Sequence, residues 1–131
     1  MRQRYVRFVT STIDENSGKR RGIFHAVYDL ADANELSKHE VEEWRTIRQW
    51  FNQHLDIPDR FARSRKSGAA PKAISWYKST AREYVSRMHA MCRILNEHGI
   101  MTEMITSTRP GYIVFEDEHQ IAAVPFAETT T

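Results

Sequence analysis

The chain has 131 residues, of which 40% are hydrophobic and 27% charged, with a formal net charge of +2. That length is enough to bury roughly two thirds of the unfolded surface around one core, and the three Trp, five Tyr and six Phe argue against extended disorder. No apolar run approaches the roughly 18 residues of a membrane span, and the N-terminus leads into an alternating segment instead of an apolar signal core. The single cysteine, Cys92, cannot form an internal disulfide. The expectation is therefore a cytoplasmic protein with one domain over residues 1–127 and a frayed tail at 128–131.

Tyr5 to Thr10 is β-branched and aromatic and ends at the turn formers Asp14 to Gly18, which predicts a strand followed by a loop. From Gly22 to Ala33 two patterns compete. Phe24, Ala26, Tyr28 and Leu30 alternate as in a strand, while Ile23, Val27, Leu30 and Ala31 share one face of a helix; the segment is assigned as helix. Ser37 and Glu40 have capping-box spacing, in which the serine oxygen accepts from an early helical N–H and the glutamate returns to the serine amide. The helix they start carries Val41, Trp44, Ile47, Arg48, Phe51 and Leu55 at three- and four-residue steps until Pro58 prevents continuation.

Residues 56–71 lack periodicity and form a predicted loop. Pro71 suits a helical first turn, and Ile74, Tyr77, Ala81, Tyr84, Val85, Met88, Cys92 and Leu95 predict a long third helix closed by Gly99. Met101 to Thr106, Tyr112 to Phe115 and Ile121 to Phe126 then read as three short strands joined by two hairpin turns, Arg109-Pro110-Gly111 and Glu116 to His119. Pro125 has no ladder donor, which points to an edge position for the last strand. The predicted order is β-α-α-α-β-β-β: an α+β fold with an antiparallel sheet and the helices packed on one face.

The small net charge conceals a division along the chain. Residues 1–28 sum to +4, 29–59 to −5, 60–93 to +8 and 94–131 to −5. Asymmetry of this kind marks either a surface for an anionic partner or basic and acidic elements packed side by side. The basic loop, 60–72, supplies Arg60, Arg63, Arg65, Lys66 and Lys72. On a continuous third helix, Lys72, Ser75, Ser79, Arg82, Ser86 and Arg93 would share the face opposite the apolar stripe, with Lys78 nearby. Arginine forks, serine hydroxyls and the helix N-terminus near Pro71 are groups that hold phosphates. Phe61, Trp76 and Tyr77 could stack a base, although Tyr77 also fits the core.

Other chemistry has weaker support in the sequence. Glu116-Asp117-Glu118-His119 gathers carboxylates and an imidazole but matches no metal motif, and a solvated turn explains it. The six histidines form no HxxxH or HExxH pair, and the five glycines form no phosphate loop. His25 and Asp29, four apart, resemble a base and its orienting carboxylate, yet no nucleophile motif accompanies them. No cofactor and no metal is indicated. The leading expectation is a non-enzymatic binding protein for RNA, DNA or another polyanion through Arg60, Arg63, Arg65, Lys66, Lys72, Ser75, Lys78, Ser79 and Arg82. The alternative is a protein-interaction module, as adaptor, inhibitor or assembly subunit, homo-oligomers included, in which Tyr28, Trp50 and the acidic second helix matter as much. A small hydrolase or nuclease using His25, Asp29 or the 116–119 turn ranks third.

Overall fold

The computed structural model describes residues 3–13, 20–54, 73–127 and 129. Among them are three helices and a six-stranded antiparallel sheet, the expected α+β class, in the order β1 (Tyr5–Ile13), β2 (Arg20–Gly22), α1 (Ile23–Asp32), α2 (Lys38–His54), β3 (Ile74–Lys78), α3 (Arg82–Glu97), β4 (Thr102–Ser107), β5 (Tyr112–Glu116) and β6 (Gln120–Val124). The sheet runs β2-β1-β3-β6-β5, with β4 also pairing β1. No described helix is long and apolar enough to cross a membrane.

The chain forms two compact units. One comprises residues 1–7, 57–85 and 104–131, the other 8–56 and 86–103, so β1, α3 and β4 each contribute to both.

In the first unit β3 pairs with β1, Tyr5 opposite Lys78, and with β6, Trp76 opposite Ile121. β6 pairs in turn with β5. Tyr5, Val6, Ile74, Trp76, Tyr84, Val114 and Ile121 are buried. Each large apolar side chain removed from water contributes about 1.5–3 kcal/mol before chain entropy is counted. The Trp76 indole N–H finds no acceptor among the described residues; its ring stays inside on apolar burial alone, against a desolvation cost of about 1–3 kcal/mol for that donor.

In the second unit β1 pairs with β2, Val9 opposite Gly22 and Ile13 opposite Arg20. α1 buries Ile23, Ala26, Val27 and Leu30, the helical reading of that segment. α2 buries Trp44, Ile47 and Phe51, and Met91, Cys92, Ile94 and Leu95 of α3 complete the core. Rings from α1 and α2 interlock, with Phe24 edge-on to Phe51 at 5.0 Å and Tyr28 edge-on to Trp44 at 5.1 Å.

Both helix signals noted at Ser37 and Gly99 operate. Ser37 N–H donates to Glu40 Oε1 at 2.8 Å and Glu40 N–H to Ser37 Oγ at 3.2 Å, closing the capping box. At the end of α3, Gly99 has φ of +80°; Gly99 N–H donates to Asn96 O and Ile100 N–H to Leu95 O. This is the paired bonding of a Schellman cap. α1 ends in the same way on Asn34, with φ of +55°, where Asn34 N–H donates to Ala31 O and Glu35 N–H to Leu30 O.

Three expectations need correction. The long third helix does not begin at Pro71, because Ile74 to Lys78 is strand β3 and the helix starts at Arg82. Ile74 and Trp76 are buried while Ser75 is exposed, a two-residue period; Ile74, Tyr77, Ala81 and Tyr84 also satisfy a helical stripe, and pairing with β1 and β6 decides between the two. β4 pairs with β1 and not with β5, so only the second of the two predicted hairpins forms. β6 lies between β3 and β5, an interior position. It ends at Val124, before Pro125 would have to donate to the ladder.

Candidate interaction surfaces

Of the residues expected to hold an anion, Arg60, Arg63, Arg65, Lys66 and Lys72 lie outside the described residues. The other four belong to three different local structures. Ser75 is exposed on β3, Lys78 ends that strand, Ser79 sits in the following turn with its N–H donating to Arg4 O at 2.9 Å, and Arg82 is the exposed first residue of α3. The helical face expected to unite Ser75, Ser79 and Arg82 therefore does not exist, since a strand and a turn separate them. The helix N-terminus expected near Pro71 lies instead at Arg82.

Several basic groups of the 60–93 block are engaged by the protein itself. The Lys78 side chain is only 15% exposed and its ammonium lies 2.7 Å from Glu116 Oε2. Arg93 reaches Glu43 of α2 at 3.4 Å, the internal pairing of basic and acidic elements allowed for above. Arg87 covers an aromatic ring. In the 1–28 block, Arg20 pairs with Glu103 and Arg21 with Asp29.

The 116–119 turn is satisfied locally. Asp117 Oδ1 accepts from the His119 and Gln120 N–H groups at 2.8 and 2.9 Å, and Asp117 Oδ2 accepts from Gln120 Nε2 at 3.1 Å. The carboxylate is thus a turn brace of the Asx type. His25 Nε2 lies 4.0 Å from Asp29 Oδ1 on α1, but the same carboxylate is held by Arg21. A cleft of about 290 Å³ nearby is lined by Thr12, Arg21, Asp29, Leu30, Glu35 and Ile100 among others. The Arg21 pair already occupies Asp29. Among the described residues no three His, Cys, Asp or Glu side chains group as metal ligands.

Cys92 is buried, and burial pushes its thiol upward from the ordinary value, against a smaller opposing effect of the Thr102 hydroxyl. A raised thiol carries little thiolate and makes a poor nucleophile. Burial also raises the Tyr77 phenol, with the neighbouring Tyr84 adding to the shift; the residue as a whole is half-buried.

A different constellation, only partly visible in the sequence, forms in the second unit. The Arg87 guanidinium carbon lies 3.7 Å from the Trp50 ring centroid. Trp50 stacks on His54 at 4.4 Å with the planes 14° apart, and meets Phe51 edge-on. Two residues before Trp50 on α2, the Arg48 guanidinium lies 5.7 Å from the centroid of Tyr28 and 6.0 Å from that of Trp44, and donates to Tyr28 Oη at 3.5 Å. Tyr28 is 40% exposed, His54 is exposed, and Trp50, Arg48 and Arg87 are half-buried. Trp50 and Tyr28 stood out in the sequence as aromatics suited to a protein contact. Arg48 was visible as the one polar member of that stripe, but Arg87, from α3, carried no signal.

No protein-family model, curated protein or solved structure matches this chain.

Proposed function

We propose that this chain is a non-enzymatic protein-interaction module that docks a partner on the arginine–aromatic surface formed by Tyr28, Arg48, Trp50, His54 and Arg87. The observation that carries the reading is the Arg87–Trp50–His54 stack. Trp, Tyr and Arg dominate the binding energy of protein interfaces. Side chains already held in stacked geometry lose little freedom on binding. The two guanidinium groups of this surface, Arg48 and Arg87, favour a partner that offers carboxylates. The one cysteine, Cys92, is a free buried thiol, which fits a chain that works in a reducing compartment, the cytoplasm.

The test is site-specific photocrosslinking in cells of the source organism. A crosslinker at Tyr28 or His54 gives a discrete protein adduct that disappears with Trp50→Ala, while a crosslinker at Thr106, on β4, does not. Adducts equally strong from all three positions would remove the reading.

A second reading, polyanion binding, draws on the density of cations at Arg60, Arg63, Arg65, Lys66 and Lys72 and on the exposed Arg82. It predicts salt-sensitive retention of labelled single- or double-stranded RNA or DNA, weakened by Arg63→Ala with Arg65→Ala. Absence of binding at low salt would leave the protein-partner reading alone.

A further inference from the structure

The cleft of about 290 Å³ lies wholly within the second unit, lined by residues of β1, β2, α1 and the segments that follow α1 and α3. Its volume is at the lower end of small-molecule sites, roughly 300–1,000 Å³, so it suits an occupant of metabolite size. The backbone around it is fixed by the fold. β1 departs from regular pairing with β2 between Val9 and Ile13. Thr10, only 1% exposed, braces that irregularity: its Oγ1 donates to Arg21 O at 3.2 Å and accepts from Thr12 N–H at 3.3 Å. Beyond the end of α1, Glu35 N–H donates to Leu30 O at 2.9 Å, which sets the backbone of Glu35. Groups carried on a fixed backbone lose little freedom when a ligand arrives.

The charges that line the cleft specify the ligand. They are Arg21, Asp29 and Glu35. Arg21 and Asp29 pair through Nη2 and Oδ2. A guanidinium carries five N–H donors, so this pairing orients Arg21 and leaves donors for a second carboxylate. The Glu35 side chain is exposed and makes no ion pair or hydrogen bond among the described residues, so its carboxylate is available to an ammonium. A simple amine would meet like charge at Arg21, and a simple carboxylate would meet it at Glu35, whereas a zwitterion satisfies both. Ala26 and Leu30, both buried, and Ile100 line the same cleft and offer apolar surface to an aliphatic chain. Asp29 is engaged in holding Arg21, so no group remains for a charged side chain. We propose that this cleft binds a free α-amino acid with an aliphatic side chain, its carboxylate on Arg21, its ammonium on Glu35 and its side chain against Leu30 and Ile100.

The experiment is isothermal titration calorimetry of the full chain with L-leucine, L-isoleucine, L-valine and L-methionine, each to about 10 mM. Isoamylamine and isocaproate, which are leucine without its carboxylate and without its ammonium, are titrated beside them. At least one of the amino acids saturates with a Kd between about 10 µM and about 1 mM, the range open to so small a ligand. Isoamylamine and isocaproate each bind at least about tenfold more weakly than leucine, because each lacks one charged contact. Glu35→Gln weakens amino-acid binding by about tenfold with an unchanged melting curve, and Arg21→Gln weakens it to a similar degree. Absence of saturable binding for all four amino acids overturns the proposal. So does isoamylamine or isocaproate binding as tightly as leucine, or amino-acid binding that Glu35→Gln leaves unaltered.

Discussion

The guanidinium carbon of Arg87 lies over Trp50, 3.7 Å from the ring centroid, and joins a residue in the first half of α3 to one near the end of α2. A cation over an indole face at a half-exposed site contributes about 0.5–1 kcal/mol. Arg87→Ala is therefore expected to lower stability by about 1 kcal/mol in urea titrations, whereas Arg87→Lys, which keeps the charge but loses the planar stack, recovers only part of it. Trp50→Ala should cost more, because apolar burial is lost as well. On the protein-interaction reading both alanine variants abolish the Tyr28 photoadduct while far-ultraviolet circular dichroism is preserved.

Glu40 joins the capping box of α2 to His98 at the end of α3, since its Oε1 accepts from Ser37 N–H at 2.8 Å and lies 2.9 Å from His98 Nε2. The bond from the Ser37 amide, followed by that from His98, holds this carboxyl below its ordinary value. A carboxylate depressed in the folded state stabilises the fold above the unfolded value, about 4.3 for Glu. That contribution is lost as pH falls through the lower folded value. In thermal melts from pH 7 to pH 3, Glu40→Gln should melt below the wild type at neutral pH, and the two curves should converge in acid. Ser37→Ala, which removes the other half of the box, should cost about 1 kcal/mol. Equal sensitivity of wild type and Glu40→Gln across the whole pH range would contradict this assignment.

Cys92 gives a test of packing in the second unit. Its thiol is buried and raised by that burial, so reaction with a disulfide reagent at pH 8 should be slow in the folded protein and rise by orders of magnitude in denaturant. Labelling proceeds in the native state only through opening, and its rate therefore reports the local stability of α3. Rapid labelling without denaturant would mean that this face of α3 is not enclosed.

What the sequence disclosed was local. The Ser37–Glu40 box and the Gly99 cap are made by residues within a few positions of each other, so spacing alone reveals them. β3 was hidden because Ile74 to Tyr84 carries apolar residues that satisfy both periods. Only partners distant in sequence, Tyr5 and Ile121, assign it to a sheet. The pairing of β4 with β1 has no local signature either, and Pro125 misdirected the placement of β6 because its position relative to the strand end could not be known. The same distinction governs the surfaces. The cations of 60–93 were countable, but Lys78 meeting Glu116 and Arg93 meeting Glu43 are tertiary events that remove part of the apparent positive field.

Gly111 tests the turn that leads into β5. Its φ is +143°, and a Cβ there would stand 2.1 Å from Val124 O and 2.9 Å from Pro125 Cα, both backbone atoms. Two penalties combine, a backbone region closed to L residues and a clash that no side-chain rotation relieves. Gly111→Ala should therefore destabilise by about 3 kcal/mol or more, in the upper range for a single substitution. Asn34 provides the contrast: it also has positive φ, +55°, but on an exposed helix end, and replacing it by glycine relieves the strain and should stabilise by about 0.5 kcal/mol. Because β5 and β6 pair next to Gly111, with Tyr112 opposite Val124, the damage from Gly111→Ala should concentrate there. Hydrogen exchange would read it as lost protection in β5 and β6 with α1 and α2 retained; uniform loss over the whole chain would instead mean that the two compact units unfold as one.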